Sequence, residues 1–268
     1  MQNDIINEIE IRAIALQRSG HHAIVNWILS NSSGSKIFLN NCQPGMNPYL
    51  GCNPEHSIIS PSQLESEIAG KHIPKHLLMY NYEDKPLHEL FKNAPDRDTH
   101  KTWLGKSSRF FNLIILRDPF NNFASKYKWV LSGKQWTPSL DSLKALPPLW
   151  KSYAQLYMKA EDPENSDNLI TINYNKWFRS SEYREQLAQK LQLDSTDKGL
   201  EEVAKWGPNT WGDSFDNMDY DGQATKMNVL ERWKNYLEDP FFKSLFKDKM
   251  IIELSEKIFG AIPGTEVF

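Results

Sequence analysis

The feature that most constrains this chain is a junction near its start. Ile9–Leu16 reads IEIRAIAL, an alternation closing on an unbroken apolar run, which predicts a strand. It passes directly into Gln17-Arg18-Ser19-Gly20-His21-His22, after which Ala23, Ile24, Trp27 and Ile28 mark one face of an amphipathic helix. Strand, tight turn and helix make an anion site, because the turn's N–H groups and the positive end of the helix dipole converge on one point. Gly20 lets the backbone approach closely, Ser19 offers a hydroxyl, and Arg18 offers a charged fork suited to phosphate. A motif this short divides about evenly between an anion turn and an ordinary strand–helix connection.

Three further runs read as strands. Leu77–Tyr82 (LLMYNY) leads into Glu83 and Asp84, and Phe110–Leu116 (FFNLIIL) leads into Arg117-Asp118-Pro119 and a helix carrying Phe123, Tyr127 and Val130. Asn168–Ile172 (NLITI) is the last. Continuous apolar runs alternating with helices indicate a parallel sheet buried on both faces. The expected fold is therefore three-layer α/β, with a central, mostly parallel sheet flanked by helices. Residues 32–70, rich in Ser, Asn, Pro and Gly, read as an irregular insertion with a short helix near Ser62–Ala69. From Ser181 onward the pattern is helix and loop. No linker divides the chain, so residues 1–268 are expected to form one domain.

Composition narrows the function. A formal charge of -3 argues against a surface that coats nucleic acid. Cys42 and Cys52 have no second Cys/His pair at ligand spacing beside them, so they read as free thiols in a reducing compartment. The start, MQNDIINEIE, lacks the basic and apolar regions of a signal peptide, and no apolar run is long enough to span a bilayer. The expectation is a cytoplasmic protein with neither nucleic acid nor membrane as a partner. A triphosphatase phosphate loop is excluded. Gly105-Lys106-Ser107 supplies its ending, but His100 occupies the required first Gly and the segment precedes a strand.

With these residues in place, the chain resembles the sulfotransferases that use 3'-phosphoadenosine 5'-phosphosulfate (PAPS). That family opens with a strand, a Lys/Arg-Ser-Gly-Thr-Thr loop for the 5'-phosphosulfate, and a helix. Here Arg18-Ser19-Gly20-His21-His22 stands in that place, with histidines for the threonines. Members follow Arg-Asp/Asn-Pro with a Ser eight residues beyond the Arg, both on the 3'-phosphate; Arg117-Asp118-Pro119 and Ser125 keep that spacing. Three further segments come in family order. Tyr174 ends a strand where members place a Tyr near the adenine, and Ser214-Phe215-Asp216-Asn217-Met218 resembles the segment whose Phe and Met sandwich the purine. Lys226, seven residues before Trp233-Lys234-Asn235, resembles the loop that closes on the 3'-phosphate, with Met227 replacing a basic residue. The resemblance runs from Ile9 to Asn235 and is weakest over residues 32–110.

The resemblance implies in-line sulfuryl transfer from PAPS, leaving adenosine 3',5'-bisphosphate, to a hydroxyl or amine of a small-molecule or glycan acceptor. Catalysis of this kind is positioning plus charge stabilisation. Arg18 would hold the leaving phosphate, with no metal needed and no carboxylate cluster in the sequence to hold one. The general base is expected at Glu83, on the end of a strand, with His76 and His72 next and His21 or His22 third. His56, His88 and His100 receive no role. Two rivals stand beside this reading: a P-loop-like small-molecule kinase, and a nucleotide-binding module of the same fold without catalysis. Oligomeric state is not legible.

Overall fold

The computed structural model describes residues 5–133, 139–162, 169–200 and 228–268. Six strands, β1 (Ile5–Ala15), β2 (Lys36–Asn40), β3 (Asn53–Ile58), β4 (Lys75–Glu83), β5 (Lys106–Leu116) and β6 (Leu169–Asn173), form one sheet in the order β3-β2-β4-β1-β5-β6. Every neighbouring pair is parallel except β2 with β3, which is antiparallel. The expected α/β architecture is what the chain forms.

Alternate residues of the central strands feed two separate cores, as the pleat demands. Ile9, Ile11, Ala13 and Ala15 of β1 pack with Ile24, Trp27 and Ile28 of helix α1 (His21–Ser30) and with Trp177 and Leu187. On the other face, Ile14, Leu78, Tyr80 and Ile114 meet Phe120, Phe123, Trp150 and Phe246. Burial on both faces explains why these strands read as unbroken apolar runs.

Two expectations are corrected. Residues 32–70 are not an irregular insertion, because they supply β2, β3 and helices at Pro48–Gly51 and Pro61–Ile68. Strand β2 is only KIFLN, five residues, too short for its period to stand out among polar flanks. Strand β3, NPEHSI, is a polar edge strand held by pairing with β2. The short helix does form where it was expected. It is fixed by a capping box in which Ser60 accepts from the Gln63 N–H and Gln63 reaches back. Strand β5 also starts earlier than expected, at Lys106, so Gly105-Lys106-Ser107 enters a strand and cannot form a phosphate loop. Among the described residues, no helix is long and apolar enough to cross a membrane.

Candidate active site

The register of the sheet builds the site. Ala15 of β1 pairs with Glu83 of β4 on one side and Ile115 of β5 on the other, and Leu116 of β5 pairs with Asn173 of β6. Four parallel strands therefore end in one row. The residues at or just past these ends are Glu83, the turn Gln17–Gly20, Arg117 and Tyr174. They gather at the carboxyl edge where the strand order reverses, the edge at which open α/β sheets bind ligands. A cavity of about 180 Å³ opens there, and all of these except Ser19 line it.

The turn is held rigidly from below. Gln17 N–H donates to Asp84 Oδ1 at 2.8 Å, Asn122 Nδ2 donates to the Gln17 carbonyl at 3.1 Å, and Arg117 donates to the Arg18 carbonyl at 3.1 Å. Lys126 binds Gln17 Oε1 at 2.7 Å and pairs with Asp84. Arg18 and Gly20 both adopt left-handed φ, 65° and 81°. Gly20 has a second reason to lack a side chain, since a Cβ there would lie 2.2 Å from the Tyr174 ring. Gly20→Ala should therefore cost about 1–3 kcal/mol through its backbone conformation alone, plus the cost of moving the ring. Thermal unfolding of the variant should show the loss, and a wild-type midpoint would refute the account.

The side of the cavity beyond β5 is cationic. Arg117 is 1% exposed, and its guanidinium donates to the carbonyls of Arg18 and Val229 and lies 5.1 Å from the Tyr174 ring centre. Among the described residues no carboxylate forms an ion pair with it, and its Nε has no hydrogen-bond partner. Burial pulls its pKa down, opposed by Tyr174 and Asp118, yet a guanidinium stays charged at any working pH. Asp118 is committed elsewhere. It caps the helix Pro119–Leu131 by accepting from the Asn121 N–H at 2.8 Å, and it accepts from Asn175 Nδ2 at 2.9 Å. Two turns along that helix, Ser125 Oγ accepts from Arg232 Nη1 at 2.7 Å.

Arg232 was missed in the sequence. It is 5% exposed and lines the cavity, and its N–H donates to Asn121 Oδ1 at 2.8 Å. The one signal for it was its place immediately before Trp233-Lys234-Asn235. Phe215, Met218 and Lys226, with Ser214 and Met227 beside them, lie outside the described residues. The placement of Tyr174 is clear, under the turn and against Arg117.

On the β4 side sits a cluster of His21, His22 and Glu83. Glu83 Oε1 lies 3.0 Å from His21 Nε2 and 3.5 Å from His22 Nε2, and it accepts from Asn81 Nδ2 at 3.1 Å. Burial alone would raise the Glu83 pKa, but the two imidazoles and the Asn81 amide outweigh it and hold the carboxyl down at about 2. Burial, reinforced by the neighbouring His21, lowers His22 to about 3, so its ring is neutral near pH 7. Ser19 is fully buried, with its hydroxyl 3.4 Å from His21 Nδ1. The ligand-type atoms of the three cluster residues lie within 4.8 Å of one another, a grouping that could also hold a divalent ion.

His72 and His76 are removed from the list of bases. They stand at the amino end of β4, where His76 pairs with Glu8 at 2.6 Å and His72 with Glu67 at 2.9 Å. Seven residues of extended chain, about 23 Å, separate His76 from Glu83. His100 pairs with the buried Glu10 at 2.9 Å, while His56, expected to play no role, lines the cavity with Asn40, Asn41 and Asn53.

No family model matches the sequence, and no curated protein matches it either. Solved structures do match. The mouse sulfotransferase SULT7A1, complexed with PAP, superposes with a TM-score of 0.52 at 15% identity, covering 93% of this chain and 89% of that one. The sulfotransferase domain of the Synechococcus PCC 7002 olefin synthase gives a TM-score of 0.51 at 10% identity, covering 98% of this chain and 99% of that one. The chain has the sulfotransferase fold.

Proposed function

We propose that this chain, built on the sulfotransferase fold, transfers a sulfuryl group from PAPS to an acceptor hydroxyl or amine. The observation that carries the reading is Arg117, a cation buried at a strand end beside a rigid, Gly-containing turn. Among the described residues it is matched by carbonyls and a ring and by no carboxylate. A buried charge without an ion-paired partner is costly, and a bound phosphate supplies one. The solved mouse neighbour's complex with PAP supports a ligand of this class here.

In the reaction the acceptor oxygen forms a bond to sulfur as the bond from sulfur to the 5'-phosphate oxygen breaks. Negative charge grows on that phosphate, where Arg18 and the N–H groups opening α1 would receive it. The acceptor proton goes to the Glu83–His21–His22 cluster. A carboxylate held at about 2 is a weak acceptor by itself, so Glu83 works by balancing the imidazolium that forms when a histidine takes the proton. A polyanionic donor bound beside His22 raises the basicity of its ring, so the base strengthens when substrate is present.

Arg18, Arg117 and Arg232 line the same cavity, a setting that favours an anion over a dication at the cluster. Turnover with PAPS should therefore survive dialysis against EDTA. Titration calorimetry should show binding of adenosine 3',5'-bisphosphate and none of magnesium ATP. Tight ATP binding would favour the kinase reading, and nucleotide binding without turnover on any acceptor would favour a non-catalytic module.

A further inference from the structure

We propose that the acceptor is an uncharged, polyhydroxylated molecule, a sugar unit, seated against Asn40, Asn41, Asn53 and His56. This rests on the sulfuryl-transfer reading and names its second substrate. The sheet order divides the cavity. Arg117 and Tyr174 come after β5 and β6 on one side of the turn, whereas Asn40 ends β2 and Asn53 and His56 belong to β3, beyond β4 and Glu83. The second substrate must lie on the far side of the proton-accepting cluster from the 3'-phosphate grip, and this wall is what lies there.

Its chemistry is that of amides. Asn40 is 5% exposed, yet among the described residues its side-chain carbonyl oxygen is buried without a hydrogen-bond partner, and the Asn41 side-chain oxygen is in the same state. Buried acceptors are almost always satisfied, so two adjacent orphans in one cavity wall call for donors from a ligand. Neither residue is loosely held. The Asn40 N–H donates to Ser57 Oγ at 2.9 Å, and the Asn41 N–H donates to Asn81 Oδ1 at 2.6 Å with Asn41 at a left-handed φ of 49°. Asn81 also donates to Glu83, so one side chain ties the amide wall to the base cluster. Among the described residues, the arginines of the cavity belong to the turn, to Arg117 and to Arg232. Strands β2 and β3 contribute no Lys or Arg to its lining, which leaves an anionic acceptor unmatched there. Trp129, whose ring has Lys126 Nζ 5.3 Å from its centre, lines the same cavity.

The test uses the full chain and two readouts. Initial rates with PAPS are compared for methyl β-glucoside and methyl β-galactoside against para-nitrophenol and hexanol. Saturation-transfer NMR then reads contact of the glycosides with the protein in the absence of donor. At least one glycoside should be sulfated faster than the phenol and the alcohol, and should show saturation transfer. Asn40→Leu and Asn41→Gly, the latter keeping the left-handed backbone, should each raise the glycoside KM about tenfold, the loss of one hydrogen bond. Calorimetric affinity for adenosine 3',5'-bisphosphate should stay at the wild-type value in both, which also reports that they fold. Preference for the phenol or the alcohol, or saturation transfer and KM unchanged in both variants, overturns the inference and leaves the donor reading intact. Failure of adenosine 3',5'-bisphosphate to bind the wild type sinks the donor reading instead, while the NMR still decides whether the amide wall holds a sugar.

Discussion

Glu83→Gln is expected to lower turnover about 10²–10⁴-fold, most of the contribution of a histidine base that loses the carboxylate balancing its charge. Glutamine keeps the shape and can still meet one imidazole, but it cannot balance the imidazolium created when the acceptor proton leaves. Donor affinity should hold or tighten, since a negative charge departs from the neighbourhood of a polyanion. The pH dependence of stability carries the same signature. The Glu83 carboxyl is held at about 2 against an ordinary 4.5, so its stabilising contribution is complete above pH 4.5 and is lost as pH falls through 2. His22, held at about 3 against 6.5, acts in the same direction: the unfolded chain takes up a proton that the folded ring refuses. Wild type should weaken steadily in acid below about pH 6, and below 4.5 the Gln variant should lack the share of that decline due to Glu83 while keeping the share that His22 contributes down to about 3. Pre-steady-state transfer rates for the two proteins decide the catalytic claim, and equal rates would remove Glu83 from the support of the base.

How far the site could be read from sequence depends on what fixes each residue in place. Glu83 and Arg117 were legible because they end or follow central strands buried on both faces, which show themselves as unbroken apolar runs, and Tyr174 because it follows the short apolar edge strand β6. The turn was legible because Gly20 and Arg18 lie within a few positions of one another. The amide wall was not, since β2 is five residues long and β3 is a polar edge whose conformation comes from its neighbour. Arg232 reaches the cavity because its backbone is pinned to Asn121, a contact spanning 111 residues with no local pattern behind it. His72 and His76, ranked next after Glu83 as bases, sit at the amino end of β4, opposite the edge that carries the site. Proximity in sequence says nothing about which edge of a sheet a residue reaches.

Arg117→Ala should weaken binding of adenosine 3',5'-bisphosphate about ten- to a hundredfold, the loss of a charge-assisted contact of about 1.5–3 kcal/mol. Adenosine 5'-monophosphate, which lacks the 3'-phosphate, should lose far less, and this difference separates a phosphate grip from general damage. General damage is a real competitor here. Arg117 also satisfies the carbonyls of Arg18 and Val229 and lies against Tyr174, so its removal loosens the turn for either nucleotide. Arg117→Lys sharpens the contrast, because it keeps the charge but loses the planar fork that serves two carbonyls and a phosphate together. Its affinity for the bisphosphate should fall between those of wild type and the Ala variant. The Ser125–Arg232 pair predicts the next step. If Arg117 grips the 3'-phosphate, Arg232→Ala should show the same selectivity, since its guanidinium donates to the hydroxyl that the resemblance assigns to that phosphate. Calorimetry on both nucleotides reads each variant. Equal losses for the two ligands would assign Arg117 to holding the turn, and the 3'-phosphate would have to be sought elsewhere along the cavity.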